Sequence, residues 1–435
     1  MKAREVVLLI FIIIAGVFFY HAKTGKIDWE WHLGDFFEWD QELFTYEETQ
    51  AVDAPLPSLF KVVNAHGNVE IQGVEGGGIS ITMVKKIWRR TEEEASEIAG
   101  RLHAVVTKDD LAVTLSTNRE EFKRRNFETD FRISLPLETA IDVTNRYGLV
   151  RAVRVASAAI DNSHGQVVVS EVPGNLMIVN SYEDVEIENI QSGCEIRSRH
   201  SNIQAAEIAG EMRIENSYGS IRLRDIGQKI TIEAPHTEIR GEDLPGALDI
   251  QNSYEKIALL RVGPLKIDGH HSRIEAAEVN GDVIITDNYE PVTLSQVRGK
   301  VQVTGKSMSV SGKDIVGEEI YVSSSYEPID LRDFAGKTTI LLSHGELTLR
   351  PLALTGPVEA RCDYTPIVFF WPGEELYPLE AQTKNSDIRW QVGGEISIEE
   401  KNGLTVARAF SGIQDKPRIL LITTYNDIQV EKGIL

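Results

Sequence analysis

An aromatic or imidazole side chain returns every 17 or 18 residues through the middle of this chain: Tyr147, His164, Tyr182, His200, Tyr218, His236, Tyr254, His271, Tyr289. Tyrosine and histidine alternate without a break over these positions. One unit then carries Ser307 or Met308 instead, and the column resumes at Tyr326, His344 and Tyr364. A short, strict period of this kind marks stacked repeats, in which each unit buries its apolar face only against its neighbours.

The apolar pattern within a unit has period two. One unit reads Met212, Ile214, Asn216, Tyr218, then Ile221, Leu223, Ile226, with glycine near the boundary at Gly210 and Gly227. Alternation means strands with one buried face, and two such runs flank a bend. The expected fold is therefore all-β, a parallel β-solenoid of about 18-residue units, each coil adding about 4.8 Å of height. Asn145, Asn162, Asn180, Asn216 and Asn252 precede the column by two residues. Asparagine tolerates left-handed bends and its amide can bond nearby backbone, so it reads as a corner residue.

The column itself reads as structural: stacked rings covering coil edges. A metal role for the histidines depends on coil size. If one unit makes one coil, the histidines recur about 9.6 Å apart, too far to share a zinc that needs nitrogens about 2.1 Å away. If two units make one larger coil, they approach to about 4.8 Å and a shared ion becomes conceivable. The sequence leaves both coil sizes open and assigns no catalytic, cofactor-binding or metal residue. Cys194 and Cys362 would lie about 20 to 45 Å apart along such a stack, beyond the roughly 7 Å between Cα atoms that a disulfide allows.

Other segments frame the repeats. Lys2 and Arg4 precede an uncharged run, Val6 to Tyr20. This fits a signal anchor, a transmembrane helix over 1–22 with the N-terminus cytoplasmic and the rest exported; cleavage after Ala22 is the alternative. Residues 23–58 interleave aromatic rings with acids, as a juxtamembrane collar or an irregular arm, and end in the linker "APLPS". A leading β module spans 59–142. It holds one short amphipathic helix over 91–103, where Thr91 and Glu94 form a capping box and Ala95, Ile98, Ala99 and Leu102 share a face. Regular repeats fill 143–364. Residues 365–435 read as irregular final coils and a C-terminal cap, with "RILLITTYNDIQVEK" as one more rung.

With "FRISLPLETAIDVTNRYGLVRAV", a strand ending at Pro136, the Glu-rich helix from Thr91 to Leu102 and the glycine-bounded rungs that follow, the chain resembles the bacterial adhesin-like β-strand-repeat family, whose domain is of unknown function. The resemblance covers roughly residues 59 to 350. The chain departs from it by carrying Asn-Ser-Tyr where many members have Thr-Ser-Gly at the bend. It implies a surface-binding protein and supplies no catalytic residues.

A net charge of −21 argues against nucleic acid as a partner, because an acidic surface repels phosphate. The function expected is a non-enzymatic, membrane-tethered extracytoplasmic β-solenoid at the periplasm or cell surface. Its N-terminal helix would hold the membrane, and its coils would bind a protein or envelope polymer. Alternatives are an accessory to envelope-stress signalling acting through a membrane partner and, less favoured, a β-helix enzyme acting on polysaccharide.

Overall fold

A computed structural model describes residues 41–123 and 126–433. The expected signal anchor over 1–22, and most of the aromatic-acidic segment after it, lie outside the described residues. Among the described residues, no helix is long and apolar enough to cross a membrane.

One 18-residue unit makes one coil, and each coil has two strands. Ala158–His164 pairs in parallel with Ala140–Tyr147 on one side and Leu176–Ser181 on the other. Val167–Val172 pairs in the same way with Val150–Val153 and Val185–Ile190. Two parallel sheets therefore run the length of the molecule, and a narrow apolar core lies between them. In one coil, Leu176 and Ile178 from the first sheet and Val185, Ile187 and Ile190 from the second are all buried.

Strict alternation fails once in each coil, at a fixed place. Glu171, Asn189, Glu207, Asp225, Asp243, Arg261 and Glu278 all have φ between 55° and 57°. The left-handed residue adds one step to the strand and drops out of the pairing, as in Ser170↔Glu188 followed by Val172↔Ile190. The next residue is thereby turned back inward, and Val172, Ile190, Ile208 and Ile226 are all buried. Polar side chains occupy the position because it faces water, and Asn189, Asp225 and Asp243 also tolerate the left-handed region better than most residues.

The second sheet contains a regular exchange of volume. Its inward column reads Ala205, Leu223, Gly241, Leu259, Ala276, Leu294, Gly312, Leu331, each paired with the next. Large side chains lean over small ones: a Cβ added at Gly241 would stand 2.9 Å from a Leu259 methyl, and one at Gly312 would stand 2.7 Å from a Leu331 methyl. Leu244 and Ile315 of the same coils also lean into these gaps, at 2.6 and 2.7 Å from the added Cβ, and filling each gap from both coils keeps the core dense.

Both ends depart from sequence order. At the start, the coil formed by Leu59–Val63 and Val69–Val74 lies between the coil of Ala140–Tyr147 and Val150–Val153 and a coil of Ala112–Thr117 and Phe127–Pro136. At the other end, the late rung Ile419–Thr424 and Ile428–Lys432 lies between Val358–Asp363 and Ile367–Trp371 on one side and Leu379–Lys384 and Ile388–Trp390 on the other. The chain closes each end by returning into its own stack. Antiparallel strands then finish the edges: Leu404–Ala409 on Leu379–Lys384, and Ile79–Arg89 on Phe127–Pro136.

Two expectations need amendment. The stretch Glu42–Val52, read as a collar or an irregular arm, is a strand that pairs with Ile79–Arg89 along its whole length. Its alternating Phe44 and Tyr46 pack on the core, which gives the aromatic spacing a physical reason. The final rung exists but does not form the outermost layer. The short helix runs Glu92–Arg101, and Thr91 caps it by accepting from the Glu94 amide at 3.3 Å; Ala95 and Ala99 are buried, and the helix lies against the antiparallel strands Ile79–Arg89 and Glu42–Val52.

Candidate binding surface

The coil register brings the predicted column residues onto one edge of the molecule. Tyr147, His164, Tyr182, His200, Tyr218, His236 and Tyr254 form an unbroken stack, with centroids 4.8 to 5.6 Å apart and planes within 10° of parallel. His271 and Tyr289 continue it, at 5.2 and 4.5 Å. After the interruption, Tyr326, His344 and Tyr364 stack again at 5.3 and 4.9 Å. Successive imidazoles within the column are thus two coils apart, about 9.6 Å, with a phenol ring between them; His270 lies beside the column, edge-on to His271 at 4.5 Å.

Two members escape the sequence period. His66 stacks on Tyr147 at 4.5 Å, and Tyr425 stacks on Tyr364 at 5.1 Å. Their sequence distances from those partners are set by the returning rungs rather than by the repeat. A local signal was present: Asn64-Ala-His66-Gly67 has the same form as Asn162-Ser-His164-Gly165.

From Tyr182 onward the column residues have positive φ, from 49° at Tyr364 to 77° at Tyr289. A left-handed non-glycine residue costs on the order of 1 kcal/mol or more. A ring stacked on both faces regains about 0.5 to 1.5 kcal/mol per contact, so the column can hold itself in a conformation that isolated residues avoid.

The asparagines are buried at the corner, from 1% exposed at Asn162 to 6% at Asn252. Their amides donate to backbone carbonyls at the bend: Asn145 to Gly148 at 3.2 Å, Asn162 to Gly165 at 2.9 Å, Asn180 to Glu183 at 2.8 Å, Asn216 to Ser201 at 3.0 Å, Asn252 to Thr237 at 3.0 Å. Each corrects an unpaired carbonyl that the turn would otherwise bury.

Other coils place other residues at the asparagine position, among them Ser198, Ala234 and Gly269. The acidic one is Asp287, two residues before Tyr289, and it is fully buried. It accepts from the Ser272 amide at 3.1 Å. Burial pushes its carboxyl up to about 6, although backbone donors at Asn288, Ser272 and His271 and the nearby His270 pull the other way. The folded pKa lies above the ordinary 3.8, so the native state binds the proton more tightly. The resulting stability is complete below about pH 4 and is lost as pH rises through 6. Asp287→Asn should therefore unfold later than the wild type at pH 7, by roughly 2 to 3 kcal/mol, with the new amide beside the buried Ser272 hydroxyl, which has no partner in the wild type. The gap between the two proteins should shrink as pH falls from 6 to 4. Thermal melts that show a gap independent of pH would refute this assignment.

A shallow groove of about 1040 Å³ lies on the second sheet. It crosses nine coils, from Arg151 to Ser295, and its floor is low because Ser170, Ala206, Ala258 and Ala277 point outward there. Arg222, Arg224 and Arg240 stand at its centre, with Glu186 and Glu188 two coils before and Glu275 beyond. Arg240 is held by Glu238 at 2.7 Å, while among the described residues Arg222 makes a long 3.4 Å contact to Ser220. On the opposite sheet, Glu215 and Glu233 face each other across paired strands, and Arg213 clamps both, at 2.9 and 2.7 Å. Like charges stacked in register repel, and the arginine offsets that.

Among the described residues no cluster of three or more His, Cys, Asp or Glu is arranged to hold a metal ion. Cys194 and Cys362 are both free and buried, and burial pushes each thiol up to about 12.

No family model matches the chain, and no curated protein does. Among solved structures, the chain is matched to a candidate cell adhesion protein from Clostridium sporogenes at 7% identity, covering 90% of this chain and 100% of that one with a TM-score of 0.17. Two chains that superpose so poorly share no demonstrated architecture, and the coil register above rests on this chain alone.

Proposed function

We propose that this protein is a non-enzymatic, adhesin-like β-solenoid that presents an extended face to a protein or polymer of the cell envelope. The observation that carries the reading is the groove: it is open, crosses nine coils and follows the coil axis, which suits an elongated partner better than a small molecule. Solenoids in general use such faces for binding. Arg222, with little pairing of its own, and Arg151 offer cationic contacts to an acidic polymer on an otherwise acidic protein.

The uncharged run from Val6 to Tyr20 supports a membrane tether, with the coils on the exported side. Glu186 and Glu188 are the carboxylate pair that polysaccharide cleavage would need. Their spacing of roughly 7 Å along one strand is within the inverting range, but they project side by side from an open face instead of from opposite sides of a cleft.

Full-length protein in detergent, mixed with envelope fractions, should co-sediment with a saturable component and leave acidic polysaccharides uncut. New reducing ends from such a polysaccharide, lost in Glu186→Gln, would replace this reading with an enzymatic one.

A further inference from the structure

The column of rings is interrupted at one coil. The register Asn288↔Lys306 below and Thr304↔Ser323 above places Ser307 between Tyr289 and Tyr326. Ser307 keeps the left-handed conformation of the column, with φ of 51°, so the backbone there is still shaped to carry a ring. Met308, next in sequence, is fully buried and fills the core instead. The two tyrosines that border this coil are 58% and 64% exposed, the highest values of any tyrosine in the column.

Two coil steps separate those rings by about 9.6 Å. Everywhere else in the column one ring occupies each step, with centroids 4.5 to 5.6 Å apart. The space over Ser307 therefore has the height of one ring layer, with a phenol face above and another below. Ser307 is too small to fill it; its borders carry Glu290 and Glu327, each next in sequence to one of the two tyrosines, while Lys306 precedes Ser307 and Arg273 lies 3.6 Å from Glu290.

We propose that the coil at Ser307 is a binding slot for one planar aromatic ring of a partner molecule, sandwiched between Tyr289 and Tyr326. A flat cationic ring suits it best, because both faces of the slot are π-rich. The slot goes beyond the display reading and does not depend on it, since it can be tested without any envelope partner.

The test uses full-length protein in detergent and thioflavin T, a flat cationic dye, followed by fluorescence and anisotropy. Wild type and Ser307→Ala should each bind one equivalent in a saturable way. Ser307→Tyr supplies the missing ring from within, as Tyr182 and Tyr218 do in their own coils, and should weaken that binding at least tenfold. Tyr326→Ala removes one wall from an exposed position and should weaken it similarly. Circular dichroism establishes that each variant is folded. Unchanged binding in either folded variant, or no saturable site in the wild type, would overturn the proposal.

Discussion

Deleting residues 412–435 should unfold the C-terminal end while leaving the central coils intact. The deletion removes the rung Ile419–Thr424 and Ile428–Lys432, which lies between two coils rather than at the tip. Ile419, Leu421, Ile428 and Val430 are fully buried, and burying four such side chains is worth about 6 to 12 kcal/mol before entropy is counted. The loss also strips hydrogen-bond partners from both neighbouring layers, and open strand edges invite aggregation. Limited proteolysis should then digest the chain from about residue 352 onward and spare the coils before it. A truncated protein whose last coils stay protease-resistant would show that the returning rung is dispensable.

The second large effect is expected at Gly165. A Cβ at this position would lie 1.9 Å from the carbonyl oxygen of Gly148 in the coil beneath. The obstacle is backbone, and its spacing is fixed by the ladder on both sides, so little can give. Gly165→Ala should cost on the order of 3 kcal/mol. Gly76, where an added Cβ would meet nothing within 4 Å but where φ is 154°, separates crowding from backbone strain: Gly76→Ala should cost clearly less. Chemical denaturation of the two variants decides the point, and equal losses would mean that the close approach of the coils at Gly165 costs no more than the backbone strain at Gly76.

The repeat was legible because a solenoid writes each layer in the same place of the sequence. The spacing from Tyr147 to Tyr289 gave the coil, the period-two runs gave its strands, and Asn162 or Asn216 marked the corner. Coil size was open until the pairing of Asn162 with Asn145 and Asn180 was seen, since either size gives alternating Tyr and His. The ends were much less readable. His66 and Tyr425 belong to the column, but their layers are formed by segments distant in sequence, and no fixed interval points to them. The strand Glu42–Val52 was missed because aromatic residues among acids suit an edge strand and a membrane collar equally. The groove depends on which outward side chains are short across nine layers, a pattern of absences that a period search does not register.

The alternation of large and small in the core, Leu223 over Gly241 and Leu259 over Ala276, keeps step with the alternation of Tyr and His at the edge. Growth or shrinkage of the molecule is thereby quantised in pairs of layers. Excising residues 219–254 would set Tyr218 against His271 and Ala205 against Leu259, restoring both rhythms. Excising only 219–236 would set Tyr218 against Tyr254 and Ala205 against Gly241, leaving a hole in the core. The shorter excision should melt at the lower temperature although it removes half as much chain, and the reverse order would mean that single layers are interchangeable.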